Sequence, residues 1–346
     1  MKKEAEKALK KFEEFKQTKP EQMNLFEILA PEDQKYSNSI ELYDFIPKYF
    51  WGKQERINGE FLRALERSFT CRGVSYKVKI SPAKIQDKDG VHRDYYPSKR
   101  EELVEDALRK LACEGQGLFL DDQVGVVFTL YELEQELQRI GHGYNKADIK
   151  DALLICAKTN IEVQTEDGKA VVISNLFETL GLQTREDWKG HGQKTRCFVR
   201  FNSLVTNSIR NKSFRQLNYE KSMSYKSVIA RQLHKRMSHH YTQASVMNNY
   251  SIMLTTIIRD FGLTVYEKLS NNLRDVKKAL KEMEEKEVVL NFKIEPVVDG
   301  QRKGKLLDAK IIIQPHFRFG SEMKRANERQ RAILYPSGQP QLPGNK

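Results

Sequence analysis

The sequence is poor in cysteine and has no long apolar run. Its four cysteines, Cys71, Cys113, Cys156 and Cys197, stand far apart and form no CxxC pair. This spacing argues against a disulfide framework or a zinc site and favours reduced thiols. No stretch approaches the ~18 apolar residues of a membrane span, and the opening MKKEAEKALKKFEEFK lacks the apolar region of a secretory signal. We therefore expect a cytoplasmic protein with no metal and no membrane partner.

The motifs of common enzyme classes are also missing. The chain lacks GxxxxGK[ST], GxSxG, HExxH and GxGxxG. A DNA-nicking enzyme stays open as an alternative, because DYYPSKRE places Tyr95 and Tyr96 near Lys99. Such enzymes hold their metal with a His-apolar-His pair, which the adjacent His239 and His240 do not provide. Tyrosine packing at a helix entry is the simpler interpretation, so we expect no catalysis and no cofactor.

Negative charge is scarce where positive charge is concentrated. The 346 residues carry a formal net charge of +12, with a pI of about 9.3. The segment Lys189–Leu280 alone holds seventeen Lys and Arg against four Asp and Glu. A single basic residue is usually solvated, but one segment with the whole excess favours a polyanionic partner. With 39% hydrophobic and 31% charged residues, the chain is typical of a globular protein.

Residues 97–175 show one recognisable order of elements. A helix capped by Ser98 and Glu101 is followed by a second helix capped by Thr129 and Glu132. Asn145 can cap a third helix, and the strands IEV and AVVI follow, joined by the turn EDGK. Helix, turn, helix and hairpin in this order predict a winged helix.

The same order returns nearer the C-terminus. Apolar periodicity predicts helices over 222–240, over 251–261 and from Ser270 onward. The strands VVLNFKI and DAKIIIQ follow, and the loop VVDGQRKGK between them makes a basic hairpin tip. The two stretches share the order of their elements and not their sequence.

We therefore predict an α+β protein with two tandem winged-helix domains behind a flexible arm. Residues 1–39 form the arm, and residues 40–215 form the first domain with a β-rich extension over 40–96 that includes the strand VSYKVKI. Residues 216–316 form the second domain, and residues 317–346 form a basic, flexible tail.

The second domain carries the candidate DNA contacts. A recognition helix reads bases with its first residues, and a basic wing meets phosphate. Asn can bond adenine and Arg can bond guanine, although an amphipathic helix with solvated lysines would look similar. The candidates are Asn271, Asn272, Arg274, Lys277 and Lys278 on the helix, Arg302, Lys303 and Lys305 on the wing, and Arg231, Lys235 and Arg236 on the first helix of this domain.

The segment EQMNLFEILAPED raises a separate question, because exposed apolar residues stand there among acids and prolines. Either it packs on its own domain as a strap, or its apolar side chains Met23, Leu25 and Phe26 fill a pocket of a partner.

The element order and the pentapeptide QMNLF together resemble the iteron-binding plasmid replication initiators, and most of all the TrfA-type initiators. The pentapeptide is similar to the peptide that binds the bacterial sliding clamp. The phrases FIPKYFWGK, LFETLGLQTREDWKG and RQLHKRMSHHY are also similar to sequences of this family. The resemblance implies a second winged helix that binds tandem origin repeats and a first that adds backbone contacts or dimerises. It further implies recruitment of host initiator, helicase and sliding clamp, a monomer–homodimer equilibrium, and a bacterial cytoplasmic location.

Two other functions fit the same domains. A winged-helix transcriptional regulator would bind DNA but gives no reason for QMNLF. A non-specific nucleic-acid binder would show salt-sensitive binding without sequence preference.

Overall fold

The computed structural model describes residues 28–30, 33–86, 89–120, 122–182, 196–300 and 305–335. Helices and sheets are mixed along the chain, and apolar side chains collect in two main cores. One core extends from Leu29 to Met223 and the other from Tyr225 to Met323. We call the two bodies the first and the second unit. The boundary predicted at 215–216 falls inside a strand, and the cores divide about eight residues later.

The first unit contains most of the elements. In chain order they are β1 (Tyr36–Ser39), α1 (Glu41–Phe45), β2 (Leu65–Cys71), β3 (Val74–Ser81), β4 (Ala83–Gln86), β5 (His92–Tyr95), α2 (Lys99–Leu111), β6 (Gly117–Leu120), β7 (Gln123–Phe128), α3 (Leu130–Arg139), α4 (Lys146–Lys158), β8 (Asn160–Thr165), β9 (Val171–Asn175), β10 (Phe177–Gly181), β11 (Cys197–Phe201), α5 (Ser203–Arg210), β12 (Arg215–Asn218) and α6 (Tyr219–Met223). Capping begins three of its helices as predicted: Glu101 accepts from Ser98 N, Thr129 and Glu132 bond reciprocally, and Asn145 accepts from Asp148 N.

The predicted hairpin β8–β9 belongs to a larger antiparallel sheet of order β2-β3-β8-β9. In β3, Val78 and Ile80 are buried, and they lie opposite Val163 and Ile161 of β8. Alternation of apolar and polar residues specifies this register, since a slip of one residue would turn the lysines of β3 into the core. The β-rich extension thus completes the sheet of the first unit. Strand β1 pairs with β12, so Tyr36–Ser39 belongs to the fold and not to the arm.

The second unit begins with α7 (Val228–His240). It continues with β13 (Tyr250–Met253), α8 (Leu254–Asp260), α9 (Leu269–Glu285), β14 (Val289–Val298), β15 (Leu306–Pro315) and α10 (Phe317–Leu334). Its sheet has the order β13-β15-β14. Four apolar residues at helical spacing on α9, Leu273, Val276, Leu280 and Met283, are all buried. Gly262 ends α8 with a φ of +61°, a conformation in which a residue with a Cβ is strained.

Two predictions about this unit are wrong. The helix expected over 222–240 is broken, because α6 ends at Met223 and Ser227 caps the separate helix α7. The tail expected to be flexible from residue 317 forms the 18-residue helix α10. Its residues Phe319, Met323 and Ala326 repeat at i, i+4 and i+7 and are buried, so one apolar face holds it against the second core.

Candidate nucleic-acid interface

One face of α9 presents a stripe of positive charge. Arg274, Lys277, Lys278 and Lys281 are exposed and stand at i, i+3, i+4 and i+7, so they lie on one side of the helix. The side chain of Arg274 is 61% exposed and lies 3.5 Å from Asp275. Sequence reasoning missed Lys281, although its spacing of seven from Arg274 is the signal that identifies it. We call these four residues the α9 stripe.

The two asparagines at the start of α9 have different roles. Asn272 is 3% exposed, its Nδ2 donates to Thr264 O at 2.8 Å, and its Oδ1 accepts from Tyr266 N at 3.1 Å. Both side-chain groups are therefore used to hold the loop before α9, and the prediction that Asn272 reads bases is wrong. Asn271 is half-buried in the first turn, one residue earlier along the helix.

The hairpin β14–β15 lies beside α9 and carries basic residues on its outer face. Lys305 is exposed where β15 begins, whereas Arg302 and Lys303 lie outside the described residues. Lys310 is exposed and stands opposite Glu295, which in turn bonds Lys293 at 2.8 Å. The described part of the hairpin is therefore less basic than its predicted tip.

The three candidate basic residues of α7 are paired with carboxylates, and two of them are buried. Arg231 Nε donates to Glu102 Oε2 at 2.9 Å, and Lys235 Nζ donates to Asp106 Oδ2 at 2.6 Å. Arg231 is 0% and Lys235 4% exposed, so the prediction that they bind DNA is wrong. Arg236 likewise bonds a carboxylate of its own unit, Asp260 Oδ2, at 2.9 Å.

The physical reason is that α7 packs against α2 of the first unit, and buried cations require anions. Glu102 and Asp106 are spaced by four residues on α2, as Arg231 and Lys235 are on α7. Within the first unit, Glu105 of α2 lies 3.6 Å from Lys48 and 3.1 Å from Arg109, and Arg109 also bonds Asp44. Burial alone would raise the pKa of Asp44, but Arg109 lowers it below the usual range. The two units are thus joined by the buried ion pairs Arg231–Glu102 and Lys235–Asp106.

The tyrosines of the nicking alternative are occupied by packing. Tyr96 is 6% exposed, and its hydroxyl donates to Arg63 O. Burial raises the pKa of this phenol, which opposes its ionisation as a nucleophile. The guanidinium of Arg56 lies over the ring of Tyr95 at 4.7 Å. Lys99 Nζ donates to Lys226 O, just before the second unit, at 3.4 Å.

The arm is described only from residue 28. The predicted partner-binding residues Gln22, Met23, Leu25 and Phe26 lie outside the described residues. Next to them, Leu29 is buried in the first core, and Arg329 of α10 donates to Ile28 O at 2.8 Å and Leu29 O at 3.2 Å. The base of the arm is therefore fixed to α10. Within the described ranges, no helix combines the length and apolarity that crossing a membrane demands.

No protein-family model and no curated protein matches the chain. In structure it is similar to a crystal structure of domains 2 and 3 of RctB, with 9% identity and a TM-score of 0.48, covering 82% of this chain and 99% of that one. Selenomethionine derivatives of the same domains give 9% identity, a TM-score of 0.47 and coverage of 73% and 91%. The Pi initiator protein in complex with iteron DNA gives 12% identity, a TM-score of 0.41 and coverage of 63% and 90%.

Proposed function

We propose that this chain is a replication initiator that binds repeated origin sequences in double-stranded DNA and does so without catalysis. The observation that supports this most is the α9 stripe, four exposed cations on one side of a helix whose other side is buried. In this proposal α7–α9 with β13–β15 form the winged helix that reads the DNA sequence. Helices α2–α4 with β8–β9 form a winged helix that adds backbone contacts or dimerises.

The first turn of α9 would enter the major groove. Asn271 and Arg274 would then reach base edges, while Lys277, Lys278 and Lys305 would meet phosphates, together with Arg302 and Lys303 of the hairpin tip. Reversal of Lys277 and Lys278 to Glu should weaken binding to every sequence and reduce its salt dependence. Asn271→Ala should change sequence preference more than affinity. If preference stays unchanged, another face of α9 reads the DNA.

Capture of source DNA by the purified protein, at about 150 mM salt and followed by sequencing, tests this function. A single cluster of tandem repeats recovered uncut would support an initiator. Scattered single palindromes would indicate a transcriptional regulator, and uniform recovery would indicate a non-specific binder. Cleaved DNA linked to Tyr95 or Tyr96 would overturn the non-catalytic proposal.

The arm supplies the second part of the proposal. Gln22, Met23, Leu25 and Phe26 would bind the bacterial sliding clamp, in the cytoplasm, where host initiator, helicase and a second copy of this chain would be further partners. Leu25→Ala combined with Phe26→Ala should abolish capture of the clamp and leave DNA binding intact. Loss of both activities together would show that the segment packs on its own domain as a strap.

A further inference from the structure

A cleft ringed by lysines lies beside the C-terminal half of α9. Its volume is about 620 Å³. One wall is the turn before α7, with Ser224, Lys226 and Ser227, and the other is α9 and the residue after it, with Lys278, Lys281, Glu282, Glu285 and Lys286. Four lysines and two glutamates thus line one cleft, and the sequence alone does not indicate that these two walls meet.

One of the two carboxylates has a structural role. Glu282 Oε1 accepts from Lys226 N at 2.6 Å and Glu282 Oε2 accepts from Ser227 N at 2.9 Å. Both donors stand at the N-terminus of α7, where the helix dipole stabilises negative charge. The bonds hold the turn before α7 against α9 and leave Glu285 as the other acid of the lining.

In the described part of the chain, no carboxylate oxygen lies within 4.0 Å of a lysine nitrogen of the cleft. Elsewhere, buried lysines such as Lys48 and Lys235 are within 4.0 Å of a carboxylate. Among the ion pairs of the described residues, none includes Lys226, Lys278, Lys281 or Lys286. A group of unpaired cations around a concave surface attracts an anion with several charges.

The cleft is continuous with the α9 stripe, because Lys278 and Lys281 belong to both. From Arg274 to Lys286 the rise along the helix axis is about 18 Å, roughly the length of five base pairs. A helix that enters the major groove with its first turn passes the sugar–phosphate backbone further along. We propose that the lysine cleft binds backbone phosphates of the duplex beyond the base contacts, an inference that rests on the proposed function.

The test is DNA binding measured as a function of salt with the full chain. Lys226→Gln, Lys281→Gln and Lys286→Gln combined should reduce the slope of log K against log salt by about 0.9 for each phosphate that the protein no longer neutralises. Affinity at about 150 mM salt should fall at least ~10-fold, and the preference for the repeat over other sequences should stay the same. Ethylation of the DNA phosphates on one side of the bound sequence should block binding of the wild type and no longer affect binding of this variant.

The matched control changes three lysines that belong to other parts of the fold than α9 and the turn before α7. Lys35→Gln, Lys212→Gln and Lys324→Gln remove the same charge and should leave slope and interference pattern unchanged. If the cleft variant keeps the wild-type salt slope and interference pattern while Lys277→Glu combined with Lys278→Glu still weakens binding, the proposed role of the cleft is wrong and the proposed function stands. If the wild-type chain shows no salt-dependent DNA binding, the proposed function and the cleft fail together.

Discussion

The buried pair between Arg231 and Glu102 makes a prediction that separates stability from DNA binding. Both side chains are 0% exposed. Arg231→Met leaves Glu102 with Gln232, at 2.7 Å, and Lys235, at 3.5 Å, as its remaining partners. Removal of one member of a buried ion pair typically costs about 3–5 kcal/mol, because the remaining charge stays desolvated. We expect the free energy of unfolding to fall by the lower part of that range, since Lys235 compensates in part.

Urea unfolding of the wild type, of Arg231→Met, of Glu102→Gln and of the double variant measures this loss and the coupling between the two residues. The double variant should be more stable than the sum of the single losses predicts, because the uncompensated charge is gone. The salt slope of DNA binding should not change in Arg231→Met. Lys277→Met is the exposed counterpart on α9, with a stability change within about 0.5 kcal/mol and a slope reduced by about one, because Lys277 is proposed to meet a phosphate. The opposite pattern, a stable Arg231→Met with a reduced slope, would refute the buried pairing.

Three further substitutions test individual contacts. Burial lowers the pKa of His234 in the folded protein to about 3. Below about pH 6.5 the unfolded chain therefore takes up a proton that the folded protein does not, and the free energy of unfolding falls as the pH falls. His234→Leu should remove about 2 kcal/mol of this loss between pH 6.5 and pH 5, measured by urea unfolding, and an unchanged loss would contradict the burial of a neutral His234. Asn272→Ala should cost about 1–3 kcal/mol in the same assay without altering sequence preference, the reverse of Asn271→Ala. Arg329→Ala should speed amide hydrogen exchange around Leu29 and leave exchange in α9 unchanged, whereas equal rates would mean that Arg329 does not hold the arm.

Local signals predicted the elements better than their assembly. The caps at Ser98, Thr129 and Asn145 and the apolar face of α9 were readable because they depend on neighbours a few residues apart. Helix α10 follows the same periodicity, but its dense charge is equally typical of a flexible tail.

The candidate site shows the same division between local and long-range information. The exposed lysines of α9 were predictable from helical spacing. The burial of Arg231 and Lys235 was not, because it depends on carboxylates of α2 about 130 residues earlier in the chain. The role of Asn272 was not predictable for a related reason: its partners, Thr264 and Tyr266, lie in a loop whose path the sequence did not reveal.

The pairing of β1 with β12 has a consequence for how the chain folds during synthesis. Tyr36 lies opposite Asn218, so the first strand waits for about 180 further residues before its partner leaves the ribosome. At about 5–20 residues per second this takes roughly 10–35 s, whereas the pair Tyr250–Ile313 of the second unit is separated by only about 60 residues. Such long-range pairing slows folding and prolongs the exposure of unpaired edges. The first strand of the first unit therefore stays unpaired while most of that unit is being synthesised.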